Sequence, residues 1–302
     1  MMPSQKKISE IFENVKFTEL YKKAERVTSQ FAKPMIEQAG LIEYAEQHDR
    51  LTVLDTACGT GVVSSLIVSA LASSASQAKL RLTCADISKS MIASVQKRIE
   101  LENWPATAVK ADGTDTGLAA DQFNFVFCNF GPSLMPSPPK CVTECFRVLL
   151  PGGVFGCTSW VYLPWLSEMR ECWKAYPAAH RGQELPRFPD DDEFLDTFAV
   201  DGHTWRDPDM VKRILEESGF VDVKTTYVSG TSELENYREW VSMLPGSVAM
   251  VFNQCWTAAE RQAWKDEAEG WIEEWTKNKY GEEQQIRWDW RALVTTGRRP
   301  KW

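Results

Sequence analysis

VLDTACGTGVVS, Val53 to Ser64, decides how the rest of this 302-residue chain is read. Leu51 to Asp55 is a short apolar run of strand type, ACGTG is a glycine turn, and Val63, Leu66, Ile67, Ala70 and Leu71 then fall on one face of a helix. Strand, glycine turn and helix in that order make the first unit of a parallel sheet covered by helices. Further units follow. After a small-residue stretch read as a loop (Ser73 to Gln77), Leu80 to Ala85 predicts a second strand, and Ser88 caps a helix carrying Met91, Ile92, Val95 and Ile99. Thr107 to Lys110 is a third strand and Phe123 to Asn129 a strongly apolar fourth. A helix from Cys141 to Leu150 is stopped by Pro151, Gly152 and Gly153, and Val154 to Trp160 is a fifth strand.

The pattern then changes. Residues 161 to 205 are rich in proline, aspartate and aromatics without clear periodicity, and predict an insertion over one end of the sheet. Asp207 and Pro208 open a helix that Gly219 ends, and Val221 to Val228 is a sixth strand. Thr257 to Glu260 has capping-box spacing and begins a helix with Trp264, Ala268, Trp271, Ile272 and Trp275 on one face. Ala292 to Thr296 is the seventh strand. The expected fold class is α/β, a doubly wound, seven-stranded, mostly parallel sheet.

Composition removes several classes of function. With 34 basic and 42 acidic residues the net charge is -8, the wrong sign for a protein whose affinity comes from neutralising phosphates, so no nucleic acid is expected as partner. No run of eighteen apolar residues occurs, and no membrane association is expected. Eight cysteines fall far below the density of a disulfide scaffold, no C-x-x-C pair exists, and only His48, His180 and His203 could serve as imidazole ligands. No metal site is expected, and most thiols read as small buried hydrophobes. The opening MMPSQKKISEIFENVKF lacks the apolar core of a secretory signal, so the expected location is cytoplasmic. Twelve of the thirteen tryptophans lie beyond residue 159, so the two halves of the chain differ in chemistry.

The ligand of the glycine turn follows from its neighbours. Gly59, Gly61 and Ser64 nearly satisfy G-x-G-x-x-G, a pattern that dinucleotide sites share. A dinucleotide needs the helix amino terminus free for its pyrophosphate, and Asp55, at the strand end four residues before Gly59, would oppose that anion. S-adenosylmethionine has no phosphate and carries a sulfonium and an ammonium, which an acidic pocket can hold. Asp86 ends the second strand, where a carboxylate can accept from both ribose hydroxyls, and Met91 can pack on the adenine. Asp112 and Gly113 follow the third strand and could read the adenine amino group. Each of these residues alone reads equally well as a cap or as core. Their joint spacing favours the nucleoside.

VLDTACGTGVVS, ADISKSMI (Ala85 to Ile92) and ECFRVLLPGGVF (Glu144 to Phe155) resemble three successive motifs of the class I S-adenosylmethionine-dependent methyltransferases, in matching order and separation. The whole chain is similar to small fungal methyltransferases of secondary metabolism, including the gliotoxin thiol methyltransferase group, through Phe17 to Lys33, Cys157 to Trp160 and Val294 to Pro300. The resemblance implies a single Rossmann-like methyltransferase domain over 1–302. Within it, 1–48 would form an N-terminal helical lid, 50–160 the cofactor-binding core, and 161–205 with 232–290 helical and aromatic insertions that cap the acceptor. It implies that Asp55, Ala57, Cys58, Gly59 and Gly61 line the methionine part of the cofactor, and that Asp86 and Ile87 meet the ribose side. Asp112 and Gly113 would meet the adenine, Asn129 and Phe130 would face the methyl group, and Tyr21 would close over the cofactor. A monomer is expected.

For the acceptor, methyl transfer from a sulfonium cancels charge, so in-line positioning supplies much of the rate and no obligatory catalytic side chain is needed. A thiol, partly ionised at neutral pH, needs little help, whereas an alcohol usually needs a base. His180 and His203 are the base candidates, each more often a surface or capping residue. Phe130, Trp160, Trp165, His203 and Trp205 are the candidate acceptor contacts, with Trp173, Phe188 and Trp240 also available to wall an apolar pocket. Amine methyltransferases of nucleic acids commonly carry Asn/Asp-Pro-Pro-aromatic after the fourth strand; Asn129-Phe130-Gly131-Pro132 departs from that. The expected reaction is methylation of a small apolar thiol or dithiol. The alternatives are oxygen or nitrogen methylation of a small aromatic metabolite, or a methyltransferase-like binding protein acting through a partner. A nicotinamide oxidoreductase survives only through the glycine spacing.

Overall fold

The computed structural model describes residues 13, 15–72, 74–176, 185–197 and 204–301. Seven strands form one sheet: β1 (Leu51–Thr56), β2 (Leu80–Asp86), β3 (Ala106–Lys110), β4 (Phe123–Asn129), β5 (Leu149–Tyr162), β6 (Val221–Leu234) and β7 (Ile286–Arg298). Their order is β3-β2-β1-β4-β5-β7-β6, with β7 antiparallel to both neighbours and the first five strands parallel. Every residue of β1 is buried, as a central parallel strand between two helical layers requires. In the register Asp55 lies beside Cys84 on one side and Phe127 on the other. The carboxyl ends of β1, β2 and β4 therefore reach the same edge, which brings Asp55, Asp86 and Asn129 together there.

Helix α1 (Val15–Ala39) packs against strands β5, β6 and β7 with Tyr21 at the turn after β1, and α2 (Leu41–Gln47) follows it. On the sheet faces lie α3 (Val62–Ala70), α4 (Ser74–Lys79), α5 (Lys89–Glu102), α6 (Pro138–Val148) and α9 (Pro208–Glu217). The other helices are α7 (Pro164–Lys174) and α8 (Asp191–Asp196) after β5, and α10 (Tyr237–Cys255) with α11 (Ala258–Tyr280) between β6 and β7. Ser88 caps α5 through Met91, Asp207 caps α9, and Thr257 with Glu260 closes a capping box on α11.

The structure corrects several boundaries. Ser73 to Gln77 is not all loop: residues from Ser74 form α4, since Ala, Gln and Lys favour helix once a neighbouring element supports them. The helix expected at Cys141 to Leu150 starts at Pro138, because proline in a first turn gives up an amide that has no partner there, and it ends at Val148. Leu149 already pairs with Phe123, so Pro151 to Gly153 lie inside β5. The largest difference concerns β6 and β7, which run on to Leu234 and start at Ile286. Ser232 pairs with Trp288 and Leu234 with Ile286, so residues 232–234 and 286–290 belong to the sheet and not to an inserted cap. The pattern is period two: Ile286, Trp288, Trp290 and Ala292 are buried between exposed Arg287, Asp289 and Arg291. On α11, Trp264, Ala268 and Ile272 are buried while Trp271 and Trp275 stay half-exposed at the flank of the stripe.

One apolar cluster packs α1 and the sheet against α3 and α5, and another lies under α6 and α9. A third, mostly aromatic, joins α7, α8, α10 and α11 to the outer ends of β6 and β7. Cys58, Cys84, Cys128, Cys141, Cys145, Cys157 and Cys172 are buried and none of the eight cysteines forms a disulfide; Cys255 is half-buried. Among the described residues there is no cluster of metal-ligating side chains and no helix long and apolar enough to cross a membrane.

Candidate active site

At the end of β1 the chain turns through Ala57, Gly59 and Gly61, all at positive φ (51°, 54° and 89°). Glycine is required at two of these places for separate reasons. A Cβ on Gly61 would stand 2.8 Å from Val95, so the turn can approach α5 only without one. A Cβ on Gly59 would meet the Tyr21 ring at 3.3 Å, which shows how closely α1 lies on the turn.

Asp55 is buried and its Oδ2 accepts from the Ser64 amide (3.1 Å) and hydroxyl (2.6 Å). Ser64 is in the first turn of α3, so the amino terminus that a dinucleotide site reserves for pyrophosphate is occupied by a protein carboxylate. Burial pushes the Asp55 carboxyl up to about 7; the Ser64 bonds oppose that rise and the charge of Asp86 adds to it. Asp86, at the end of β2, is also buried, with Oδ2 accepting from the Gly59 amide and Oδ1 from the Ser88 amide, both at 2.9 Å. Burial raises its pKa too, against those two amide bonds. A carboxylate has about four acceptor positions, and the Gly59, Ser88 and Ile87 amides do not fill them all. Burial, and next Asp86, push the Tyr21 hydroxyl up to about 12. Two buried carboxylates held by amides, with no cation among the causes of either shift, make this end of the sheet acidic and without a described counter-charge.

Of the other cofactor-side candidates, Cys58 and Met91 are buried beside the turn, and Ile87 is 45% exposed next to Asp86, an apolar face left open at the site. Asp112 is exposed and its Oδ1 accepts from the Thr114 amide and hydroxyl at 2.8 Å, the arrangement of a turn cap. The space a Cβ on Gly113 would need is filled by Met135, whose methyl would lie 2.5 Å away. Thr60 lies within the Asp55 to Gly61 turn expected to line the cofactor, but its sequence marks out no role of its own. It is buried within the turn, its Oγ1 has no partner, and its carbonyl is held by Arg98 (3.2 Å). The only signal was its place between two glycines.

At the end of β4, Asn129 Oδ1 accepts from Thr158 Oγ1 (2.7 Å), and the same hydroxyl accepts from the Phe130 amide (2.9 Å). Phe130 has φ 57°, a strained state for a bulky residue that costs roughly 1–3 kcal/mol. The hydroxyl of Thr158 and a stack on Trp160 (3.8 Å, 13°) hold it there. Phe130 and Tyr21 open onto a cavity of about 200 Å³, which Trp160, Trp165, Trp205, Trp240, Trp288 and Trp290 wall. Trp160, Trp165 and Trp205 were legible candidates. Trp288 and Trp290 were missed because β7 was expected to begin at Ala292, although the alternation IRWDWRA carried the signal. Trp173 and Phe188 are buried in the aromatic cluster and are not among the lining residues. His180 and His203 lie outside the described residues. Among the described lining residues there is no carboxylate and no imidazole.

The strand order with a reversed β7 and the acidic glycine turn agree with the methyltransferase reading of the sequence. Residues 53–153 match a family described as a methyltransferase domain. The chain is 29% identical over 298 residues (98% of this chain, 99% of the relative) to acetylaranotin bis-thiomethyltransferase of Aspergillus terreus. It is 26% identical over 97% of this chain and 100% of the relative to methyltransferase tpcH of Aspergillus fumigatus. Its fold is similar to that of a candidate methyltransferase of Bacillus halodurans C-125, with a TM-score of 0.51 and 17% identity over 89% of this chain and 98% of that one. The chain is thus an S-adenosylmethionine-dependent methyltransferase related to these fungal enzymes.

Proposed function

We propose that this enzyme methylates a sulfur atom of a small, largely apolar metabolite. The observation that carries the reading is the tryptophan-walled cavity beside Phe130 and Tyr21, with no acid or imidazole among its described lining residues. Such a wall selects apolar shape and supplies no described general base, which suits an acceptor that ionises by itself; a thiol, with a pKa near about 8.5, does so. The Aspergillus terreus relative, similar along its full length, is named for double thiomethylation.

The donor-side residues have matching tasks. Asp55 through Gly61 cradle the amino acid end of the cofactor, Thr60 supplies its unpartnered hydroxyl, and Asp86 accepts from the ribose hydroxyls. Ile87 and Met91 cover the adenine, and Asp112 with Gly113 meets its amino edge. Tyr21 shields the turn from water. Bound there, S-adenosylmethionine supplies an electrophilic methyl group. Asn129 and the strained Phe130 fix the floor between the turn and the cavity, and the aromatic wall excludes water and aligns the acceptor. Residues 15–47 serve as the lid, 50–160 as the donor core, and α7, α8, α10 and α11 as the cap, within a monomer.

Labelled donor with a panel of dithiol, phenol and amine metabolites tests the reading. Sulfur-labelled product is expected; exclusive labelling of a phenol or an amine would overturn it.

A further inference from the structure

Part of the polarity of the cavity wall is already spent. Trp288 Nε1–H donates to Glu168 (2.8 Å), Trp290 Nε1–H donates to Ser232 (2.8 Å), and Arg26 and Arg206 are paired with carboxylates of Glu239 and Asp196. Among the described residues three buried side-chain polar atoms have no partner, and of these only Trp205 Nε1 belongs to a residue that lines the cavity. A buried donor left unpaired costs about 1–3 kcal/mol, so it is retained where something else gains from it. Trp205 is also held in place: it is 4% exposed, and its carbonyl accepts from the hydroxyl of Ser159, the residue preceding Trp160. Trp160 in turn stacks on Phe130, and Trp205, whose side chain packs into the cluster under α6 and α9, lines the same cavity.

We propose that Trp205 Nε1–H is the polar anchor of the acceptor pocket and that the acceptor metabolite carries a neutral hydrogen-bond acceptor, a carbonyl oxygen, near the atom that is methylated. This rests on the small-molecule reading above and adds the recognition element that an apolar wall lacks. An indole N–H is uncharged and donates once, so it selects a neutral oxygen without demanding a counter-charge in a pocket whose two arginines are already paired. Because Nε1 is covered by its neighbours, the wall yields locally when the ligand oxygen reaches it, and the indole environment changes on binding.

Two measurements test this separately. The Trp205 indole ¹⁵N–¹H signal, assigned by its loss in Trp205→Phe, is followed during titration with acetanilide and with propylbenzene in the presence of S-adenosylhomocysteine. A downfield shift with acetanilide alone is expected; no shift, or equal shifts with both, overturns the proposal whether or not thiols are substrates. Kinetics then compare 2-mercapto-N-phenylacetamide with 3-phenylpropane-1-thiol. Trp205→Phe, or replacement by the isosteric benzothienylalanine that lacks the N–H, is expected to raise KM about tenfold for the amide thiol only, as loss of one hydrogen bond implies. Equal changes for both thiols, or none, make Trp205 packing alone. If the unaltered enzyme methylates neither thiol, the sulfur reading fails, and the indole titration decides the anchor by itself.

Discussion

The glycine turn and the tryptophan-walled cavity, the proposed donor and acceptor ends of the reaction, are built from different physics. Around the glycine turn, order comes from directional bonds to buried carboxylates: Ser64 on Asp55, and the Gly59 and Ser88 amides on Asp86. Around the cavity it comes from ring contacts, such as Trp240 edge-on to Trp288 (4.6 Å, 86°) and Phe130 flat on Trp160. A hydrogen-bonded acid tolerates almost no change of chemistry, while an aromatic wall tolerates changes of chemistry but not of volume. One chain can therefore keep an unchanging donor and still shape its other half to a particular acceptor.

Substitutions can break that division or sharpen it. The largest effect is expected for Trp240→Ala, which empties a fully buried site and should cost about 3–5 kcal/mol of stability by denaturant titration. Calorimetric affinity for S-adenosylhomocysteine should hold under native conditions; a parallel loss would join the two halves energetically. Asp86→Ala should act the other way, weakening cofactor binding by roughly 1.5–3 kcal/mol through lost charge-assisted bonds, with the aromatic half unaffected.

Asp55 gives a pH signature confined to the donor half. Its carboxyl ionises near 4 when unfolded and at about 7 when folded, so the folded chain holds the extra proton. Its contribution to stability is therefore full below pH 4, declines from 4 to 7 and is level above that. A cationic cofactor favours the ionised form, so binding at pH 6 should release a proton, and affinity should fall by up to about tenfold per unit below pH 7. Calorimetry in buffers of different ionisation enthalpy reads this directly; no proton release would remove Asp55 from the site. The smallest effect belongs to Arg26→Ala, which removes a part-exposed ion pair to Glu239 between α1 and α10 and should cost under about 1 kcal/mol in thermal stability.

The same division explains what the sequence made legible. The donor half could be read because each task needs a particular residue at a particular spacing: an acid at a strand end, glycine where Val95 leaves 2.8 Å, serine at a cap. Asp112 shows the limit, since a turn cap and an adenine contact demand the same residue. Thr60 shows it too, because an orphaned hydroxyl exists only in three dimensions. The acceptor wall was harder, because any large ring can fill it and its members come from α1, β5, the segment before α9, α10 and β7. Which tryptophan N–H groups are already satisfied depends on partners such as Glu168, 120 positions from Trp288.

The buried cysteines acquire a meaning from the proposed chemistry. A protein that handles thiols or dithiols risks entering mixed disulfides with its own substrate, a reaction that needs an accessible thiolate. Seven of the eight thiols here are out of reach of solvent, and burial pushes those of Cys58, Cys84, Cys157 and Cys172 upward, toward the unreactive protonated form; Cys141 is shifted down by its hydrogen bonds with Cys128 and Cys145, but it is fully buried. Even Cys58, in the glycine turn itself, is buried with its thiol directed at the Gly59 carbonyl, so under the proposed chemistry the enzyme offers its substrate no ready thiolate there.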